Sequence, residues 1–500
     1  MSVEAGAQVP IAGAVESHHR LLRNIAVLAG SQLVTWGLTT AWTLVVPRIL
    51  GPKGIGELST AMSATSILLV LVELGLTVLL VRKIAQDRAS AGALMSTALV
   101  IQAVLFLPAI AVMGVFIRLQ HFDTEQQVVL WLATAAMLPT ILKLPFQAAF
   151  QATERMGFYA LTGVVTKLVN AVAGIALAVA GLGVIALAAL AAAVEALTLL
   201  LNIRWARPLF KLSRHVGARS AVQLAVESLP FSVNYIVHST YLSINIVLLA
   251  TFTSAGVVGW YGVSSRLIGS LFFIPVIVST ALLPRFSASF NGHMDALQAE
   301  ARPTVGLVMA LSLPIAAGAA LVSAPLITLV YGPSFGPSAI VLAILLASVP
   351  FTYFNILVWQ VLVASSRQAI WTKVLAACLA INIMVNLVLI NYCQSRFGNG
   401  AIGAALALVL TEAIMSVAGV VILPHLFDRR ALLRLGRAAA ATALMAAGVL
   451  ASRPLGLAAE VVVGVAVFAA LALPLRVVNA GEMRNLYAAV ARRRRARAAA

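Results

Sequence analysis

Three basic residues, Lys143, Lys167 and Arg266, lie inside segments that are otherwise apolar enough to cross a membrane. A cation near the middle of a bilayer costs roughly 2.5 to 3.5 kcal/mol, so it needs either a partner or a function there. Arg266 presents forked donors that match a phosphate, and Lys167 adds a point charge about midway along its own segment. We expect Arg266 and Lys167 to bind an anionic group in a water-filled cavity. The alternative is a structural pair with a buried carboxylate or with helix-end carbonyls.

Four further residues are candidates for binding or for coupling. Lys143 and Arg48 could contact the same anionic group. Alternatively, the long stem of Lys143 could reach the lipid headgroups, and Arg48 could anchor to headgroups at the outer end of the first segment. Glu73 and His238 could take up a proton or couple an ion, although Glu73 could instead pair with a lysine and His238 could be a hydrogen-bonded structural residue.

The remaining buried polar groups are expected to be structural. Glu195 and Glu412 lie in segments rich in small residues, where a carboxyl group can hydrogen-bond a neighbouring helix. Cys378 and Cys393 lie near the two ends of one predicted helix, about 22 Å apart at helical rise, so they cannot form a disulfide with each other. The sequence indicates no metal site and no cofactor.

The composition indicates a polytopic membrane protein. The 500-residue chain is 61% hydrophobic and only 10% charged, which excludes the soluble globular classes. Its formal net charge of +18 could suit nucleic acid, but no polar stretch is long enough for a soluble basic domain. We therefore attribute the charge to membrane topology and expect no nucleic-acid partner. Residues 1–20 lack the apolar core of a signal peptide and are expected to form a cytoplasmic tail.

Apolar runs long enough to cross about 30 Å of hydrocarbon predict an all-α polytopic membrane protein with about fourteen transmembrane helices, the last two of them short. The runs cover roughly residues 24–46, 56–81, 92–117, 128–150, 157–180, 183–203, 227–252, 257–283, 303–330, 337–363, 369–392, 400–424, 438–452 and 457–475. With an N-terminus inside, 26 of the 34 Lys and Arg residues fall in cytoplasmic segments and five fall outside. This bias predicts that both termini are cytoplasmic.

Landmarks of the first half recur in the same order in the second half. Gly56 and Arg82 correspond to Gly259 and Arg285. "ATER" at 152–155 corresponds to "ASSR" at 364–367, and Glu195 corresponds to Glu412. We infer two parallel six-helix lobes, 21–222 and 223–425, around a central cavity. Two added helices over 426–478 and a basic cytoplasmic tail over 479–500 complete the predicted organisation.

Several stretches resemble the multidrug, oligosaccharidyl-lipid and polysaccharide (MOP) exporter superfamily. "SRLIGSLFFIPVIVSTALLPRFS" at 265–287 looks like its eighth-helix pattern. "KVLAACLAINIMVNLVLINYCQSRFGNGAIGAALALVLTE" at 373–412 is similar to its eleventh and twelfth helices, with paired asparagines Asn382 and Asn386. "VPRILGPKGIGELS" at 46–59 and "LVELGLTVLLVRKIA" at 71–85 resemble the first hairpin of its bacterial polysaccharide flippases.

The resemblance implies a flippase of the bacterial inner membrane. Its cargo would be an undecaprenyl-pyrophosphate-linked oligosaccharide, such as an O-antigen, exopolysaccharide or capsule repeat unit, moved by alternating access. In the peptidoglycan-precursor branch, an arginine in a similar "RL" context of helix eight lies in the cavity, and Arg266 matches that position. That branch also carries arginines within helix one, which the run 24–46 lacks, while Arg48 matches only an arginine before Leu-Gly. This difference from the branch argues for a glycolipid other than the peptidoglycan precursor.

The implied partners are the polyprenyl-pyrophosphate-linked glycan, membrane lipids and other membrane proteins of polysaccharide assembly. No catalytic activity is expected, and the energy source would be an ion gradient or the membrane potential, because the chain has no P-loop motif. Three alternatives remain, of which the third is a non-transporting membrane scaffold. A cation-coupled drug exporter of the same superfamily would need an acidic pocket, often with a helix-one carboxylate that is absent here. An integral-membrane glycan polymerase would need catalytic acids or a large extramembrane loop.

Overall fold

The computed structural model describes residues 11–213, 216–290 and 292–478. Within those residues the regular structure is α-helical with short 3₁₀ turns, as the apolar runs predicted. The helices are α1 (Ile11–Glu73), α2 (Leu76–Gln86), α3 (Ala91–Gln120), α4 (Thr124–Ala152), α5 (Met156–Val179), α6 (Gly183–Ala206), α7 (Ala218–Phe252), α8 (Ala255–Gly269), α9 (Phe273–Ser289), α10 (Met294–Leu321), α11 (Ser323–Tyr331), α12 (Ser338–Leu346), α13 (Val349–Ala364), α14 (Gln368–Phe397), α15 (Gly400–Ile422), α16 (Arg429–Ala451) and α17 (Leu457–Ala472). The predicted tail over 479–500 and residues 1–10 lie outside the described residues.

Eleven helices of the described chain are long and apolar enough to cross a membrane, or up to twelve if the bent pair α12 and α13 forms one span. The first of these, Gly30–Gln86, has 57 residues. A straight helix of that length would be roughly 85 Å long, far more than a bilayer requires. It kinks at Gly51, whose φ of 72° and ψ of 180° are not helical. The number of fourteen crossings remains a prediction.

Four of the predicted runs are not continuous helices. The run 56–81 is interrupted at Leu74 and Gly75, which have φ values of 51° and 68°, and 257–283 is interrupted by a 3₁₀ turn over Ser270–Phe272. The run 303–330 breaks at Val322, and α12 and α13 meet at an angle of 44°. Hydropathy reports whether a segment can lie in hydrocarbon but says little about helix continuity, so the sequence pattern did not reveal these breaks.

Packing divides the chain into two compact units. The first contains Met1–Leu50 and Ala64–Ser239, and the second contains Gly51–Ser63 and Thr240–Ala500. Residues 51–63 therefore pack with the second unit although the chain on both sides of them belongs to the first. Division by packing is no test of internal repetition, so the two six-helix lobes remain a prediction.

Each unit has its own apolar core. In the first, α2, α3, α4 and α6 bury side chains such as Leu80, Met95 and Phe150. In the second, α14 packs along α15, and α10 packs against α16. Asp428 caps α16 by accepting a hydrogen bond of 2.7 Å from the Ala431 amide. This bond, together with the nearby Arg302, holds the pKa of the Asp428 carboxyl below its ordinary value.

Glycines allow residues 51–63 to approach α8 at backbone distance within the second unit. A Cβ atom at Gly56 would lie 1.7 Å from the Ala255 carbonyl oxygen, and one at Gly259 would lie 1.9 Å from the Pro52 carbonyl oxygen. Small residues at the interface are the usual means of close helix contact in membranes. These two glycines are also a matched pair of the predicted repeat.

Adding one methyl group at this contact should destabilise the protein. We expect Gly259→Ala to lower the free energy of unfolding by about 1 to 3 kcal/mol, because backbone must move to admit the Cβ. Gly269→Ala, on the same helix, is the control: nothing lies within 4 Å of its added Cβ, so its stability should be unchanged or up to about 1 kcal/mol higher. Thermal unfolding of purified protein measures both, and equal midpoints would contradict the interpretation.

Candidate functional site

Arg266 lies in the second unit, one turn before α8 ends. Its side chain is half-buried, and the Nη2 atom is 3.9 Å from the Met62 sulfur. The Tyr331 phenol interacts with it electrostatically. Tyr331 is almost wholly buried, and its hydroxyl group has no hydrogen-bond partner among the described residues. Arg266 therefore places a guanidinium in the last turn of an otherwise apolar helix, directly before the 3₁₀ turn over Ser270–Phe272.

Lys167 lies in the first unit, midway along α5, and its side chain is exposed. Gly174 lies two turns further along the same face of α5. The Trp42 Nε1 atom would be 3.3 Å from a Cβ at Gly174, so α1 packs against this face. An exposed ammonium group at mid-span would be costly in hydrocarbon, so we expect this face of α5 to border water.

A polar stripe runs along α1 in the same unit. Gln32, Trp36, Thr39 and Thr40 are all exposed, and Thr43 is half-buried. Residues spaced three or four apart share one face of a helix, so the five side chains form one strip within an apolar span. Sequence reasoning missed this strip, although its periodicity is visible in "SQLVTWGLTTAWT" at 31–43.

Lys143 has a carboxylate partner. It is buried on α4 and forms an ion pair with Glu195 of α6. Such a pair compensates for the desolvation of both charges, because breaking it would leave one charge buried without a partner. The pair gives both residues a structural role inside the first unit. Arg48, three residues before the kink at Gly51, is exposed.

The two predicted coupling residues differ in environment. Glu73 is only 5% exposed, and one of its carboxylate oxygens accepts a hydrogen bond of 3.1 Å from the Thr77 amide. That amide lies in the first turn of α2, where the partial positive charge of a helix start favours a carboxylate. His238 is exposed on α7. Both residues belong to the first unit, as do Lys167, Lys143 and Arg48, whereas Arg266 belongs to the second.

A buried polar network occupies the core of the second unit. Glu412 accepts hydrogen bonds from the Tyr241 hydroxyl at 3.0 Å, the Thr352 hydroxyl at 3.0 Å and the Asn355 amide at 2.9 Å. All three donors are neutral, and Glu412 forms no ion pair with any residue that the structure describes. The sequence indicated a helix-bridging carboxyl at Glu412 but not which helices it joins.

The paired asparagines of α14 extend this network. Asn382 donates to the Thr411 hydroxyl at 3.2 Å, and Asn386 donates to the Asn245 side-chain oxygen at 2.8 Å. Both asparagines are fully buried. Their amides therefore join α7, α14 and α15 by hydrogen bonds, as buried polar groups must.

The comparisons with known proteins agree with this architecture. The family described as "Polysaccharide biosynthesis protein" matches residues 21–290. A comparison with curated protein sequences finds no match. Among solved structures, the chain is similar to a lipid II flippase MurJ in an inward closed conformation, with a TM-score of 0.72 and 12% identity over 90% of this chain and 98% of that one.

Two further structures share the fold. An inward-facing multidrug resistance MATE family transporter of the MOP superfamily has a TM-score of 0.61 and 14% identity over 80% of this chain and 94% of that one. A MOP superfamily transporter from Pyrococcus furiosus has a TM-score of 0.52 and 13% identity over 81% and 96%. At these identities the likeness concerns the fold, whereas the family match covers more than half of the chain. The chain therefore belongs to the polysaccharide biosynthesis protein family, a membrane transporter family with the MOP superfamily fold, as the sequence motifs predicted.

Proposed function

We propose that the protein is a flippase that moves a polyprenyl-pyrophosphate-linked oligosaccharide across the bacterial inner membrane by alternating access. The observation that carries the proposal is the deep cation in each unit, Arg266 and Lys167, in a member of a polysaccharide biosynthesis family. Among the residues that the structure describes, Lys167 forms no carboxylate ion pair of the kind that joins Lys143 to Glu195. An anionic lipid head is a substrate that such cations can bind.

Each cation has the chemistry to bind a phosphoryl group of the cargo. The planar guanidinium of Arg266 can donate two parallel hydrogen bonds to phosphoryl oxygens, and the Lys167 ammonium can act as a point charge on a phosphate. Arg48 contacts the cargo or headgroups where the first span ends, and Lys143 serves the cargo indirectly by holding α4 to α6.

The sugars lie along the polar stripe of α1. Trp36 offers a flat apolar face on which a pyranose ring can stack, and the threonine hydroxyl groups can exchange hydrogen bonds with sugar hydroxyls. Lys167 belongs to the same unit and lies on the face of α5 that packs against Trp42. The polyprenyl tail stays in lipid, because it has no polar group to bring inside.

Glu73 and His238 are the proposed coupling residues. Protonation of His238 would add a charge to an exposed position of the first unit, and Glu73 at the break between α1 and α2 can change its hydrogen bond with Thr77. An ion gradient or the membrane potential would then drive the cycle.

The buried carboxylates argue against the rival function of a cation-coupled drug exporter. A pocket for cationic compounds needs accessible acids, but Glu73 and Glu412 are only 5% and 6% exposed and are already hydrogen-bonded. Lys167, at mid-span on α5, is exposed instead. The burial of the two carboxylates and the exposure of the lysine favour an anionic cargo.

In the proposed cycle, residues 51–63 and α8 separate when the cavity opens. They contact each other through glycines at backbone distance, so no long side chains interlock between them and have to rearrange when they separate. A contact of this kind can open and close as a unit, which suits a gate.

Removing either cation should slow translocation. We expect Arg266→Ala and Lys167→Ala each to lower the initial flipping rate by roughly tenfold or more, since a hydrogen bond to a charged group contributes about 1.5 to 3 kcal/mol. Arg266→Lys should recover part of the rate because it keeps the charge but loses the fork. The assay follows lipid-linked oligosaccharide in proteoliposomes, with exposed Arg396→Ala as the control. Unchanged flipping in both alanine variants at normal protein levels would refute the cation site.

Removing the aromatic face of α1 should weaken sugar binding selectively. Trp36→Ala should lower the flipping rate roughly fivefold, while Trp36→Phe should keep most of it, because a phenyl ring still stacks. Val34→Ala is the matched control, since Val34 and Trp36 are both 50% exposed on α1 but lie on different faces. The proposal for the stripe fails if Val34→Ala and Trp36→Ala have equal rates.

Joining residues 51–63 to α8 should stop the cycle reversibly. The Ser59 Cβ atom lies 3.4 Å from the position of a Cβ at Gly262, close to the spacing of a disulfide. The double variant Ser59→Cys, Gly262→Cys should lose translocation on oxidation and regain it on reduction. Each single variant is a control, and the native Cys378 and Cys393 are buried. Fully cross-linked protein that still flips cargo would exclude this contact as a gate.

A further inference from the structure

A groove opens at the turn between α3 and α4 in the first unit, and none of the residues assigned above lines it. Its volume is about 630 Å³. Its polar lining consists of Arg118, His121 and Gln127, with Trp131 across from Gly114. A Cβ atom at Gly114 would lie 3.4 Å from the Trp131 ring, so the glycine keeps this side of the groove open.

The groove is rich in hydrogen-bond donors and carries positive charge. Arg118 is exposed, and it forms no ion pair with any residue that the structure describes. His121 ends α3 with a φ of 49° and is also exposed. The Gln127 amide nitrogen is already used, since it donates to the Phe122 carbonyl at 2.7 Å. Among the residues that the structure describes, no acidic side chain lines the groove, and Asp123 and Glu125 lie on the same turn outside its lining.

An apolar surface leads away from the groove along α3. The side chains on this surface are strongly exposed and purely aliphatic: Val104, Leu107, Val112, Val115 and Leu119. In a membrane this surface contacts acyl chains. The cationic groove lies at the end of the apolar surface, beside a tryptophan, which is the position that headgroups and interfacial aromatic residues share.

We propose that this groove binds the phosphodiester headgroup of an anionic phospholipid, whose acyl chains lie on the exposed face of α3. Arg118 donates a forked pair of hydrogen bonds to the phosphate, His121 donates one more, and the Trp131 N–H group completes the donor set. The adjoining apolar surface favours a lipid over a free phosphate, because only a lipid also covers it. The described lining contains basic side chains and no acid, which favours an anionic lipid over a zwitterionic one. The site is independent of the cargo and of the proposed flippase activity.

Delipidated protein titrated with phosphatidylglycerol tests the proposal, with native mass spectrometry counting retained lipid and thermal unfolding measuring stabilisation. Phosphatidylcholine with the same acyl chains and inorganic phosphate are the comparison ligands. We expect wild-type protein to retain phosphatidylglycerol about tenfold better than Arg118→Glu does. Lipid binding should also raise the unfolding midpoint of wild type but not of the variant.

Two further variants separate a built site from general surface charge. Arg396→Glu reverses another exposed arginine in the last turn of a long helix, α14, and should behave as wild type. Gly114→Leu fills the groove but keeps Arg118, and should lose the lipid. Equal retention in wild type and Arg118→Glu would overturn the proposal, as would equal loss in Arg396→Glu. Phosphatidylcholine retained as well as phosphatidylglycerol would exclude an anionic headgroup, and stabilisation by inorganic phosphate alone would exclude a lipid.

Discussion

Every polar or charged group inside a membrane-spanning bundle must find a partner in the protein or face water, and this constraint governs the whole molecule. Lys143 meets it through Glu195, and Glu412 meets it through three neutral donors. Lys167 is exposed on α5, where the constraint requires it to face water. The internal ion pair and hydrogen bonds stabilise the two units.

Close backbone contact through glycines is a second feature of the structure. Gly56 and Gly259 bring two backbones together with no side chain between them. The contact is therefore close but involves no interlocking side chains. Broken helices act in the opposite sense. The 3₁₀ turn after α8 begins at Ser270, whose amide donates to the Arg266 carbonyl, so Arg266 lies next to an irregular part of the span. Rigid contacts and irregular turns thus occur within one unit.

Basic side chains of the same chemistry have different environments in the molecule. Lys143 and Lys167 lie on consecutive helices of one unit, yet one is paired and buried whereas the other is exposed. Arg118 and Arg266 likewise differ: the first lies in the last turn of α3 and lines a groove with Trp131, and the second lies within a membrane-span candidate. Position in the fold, more than residue type, decides what surrounds each cation.

Local properties of the chain were enough to predict the all-helical membrane fold, the superfamily and the cations within the spans, because hydropathy, charge and motif are read from neighbouring residues. The tertiary structure alone decided the rest. The pairing of Lys143 with Glu195, the donors around Glu412 and the contact between Gly56 and Ala255 join residues far apart in the chain. The breaks at Leu74 and after α8 depend on backbone dihedral angles that an apolar run does not encode. Hydrocarbon selects the composition of a span, whereas packing against neighbouring helices selects its bends and the partner of each polar group.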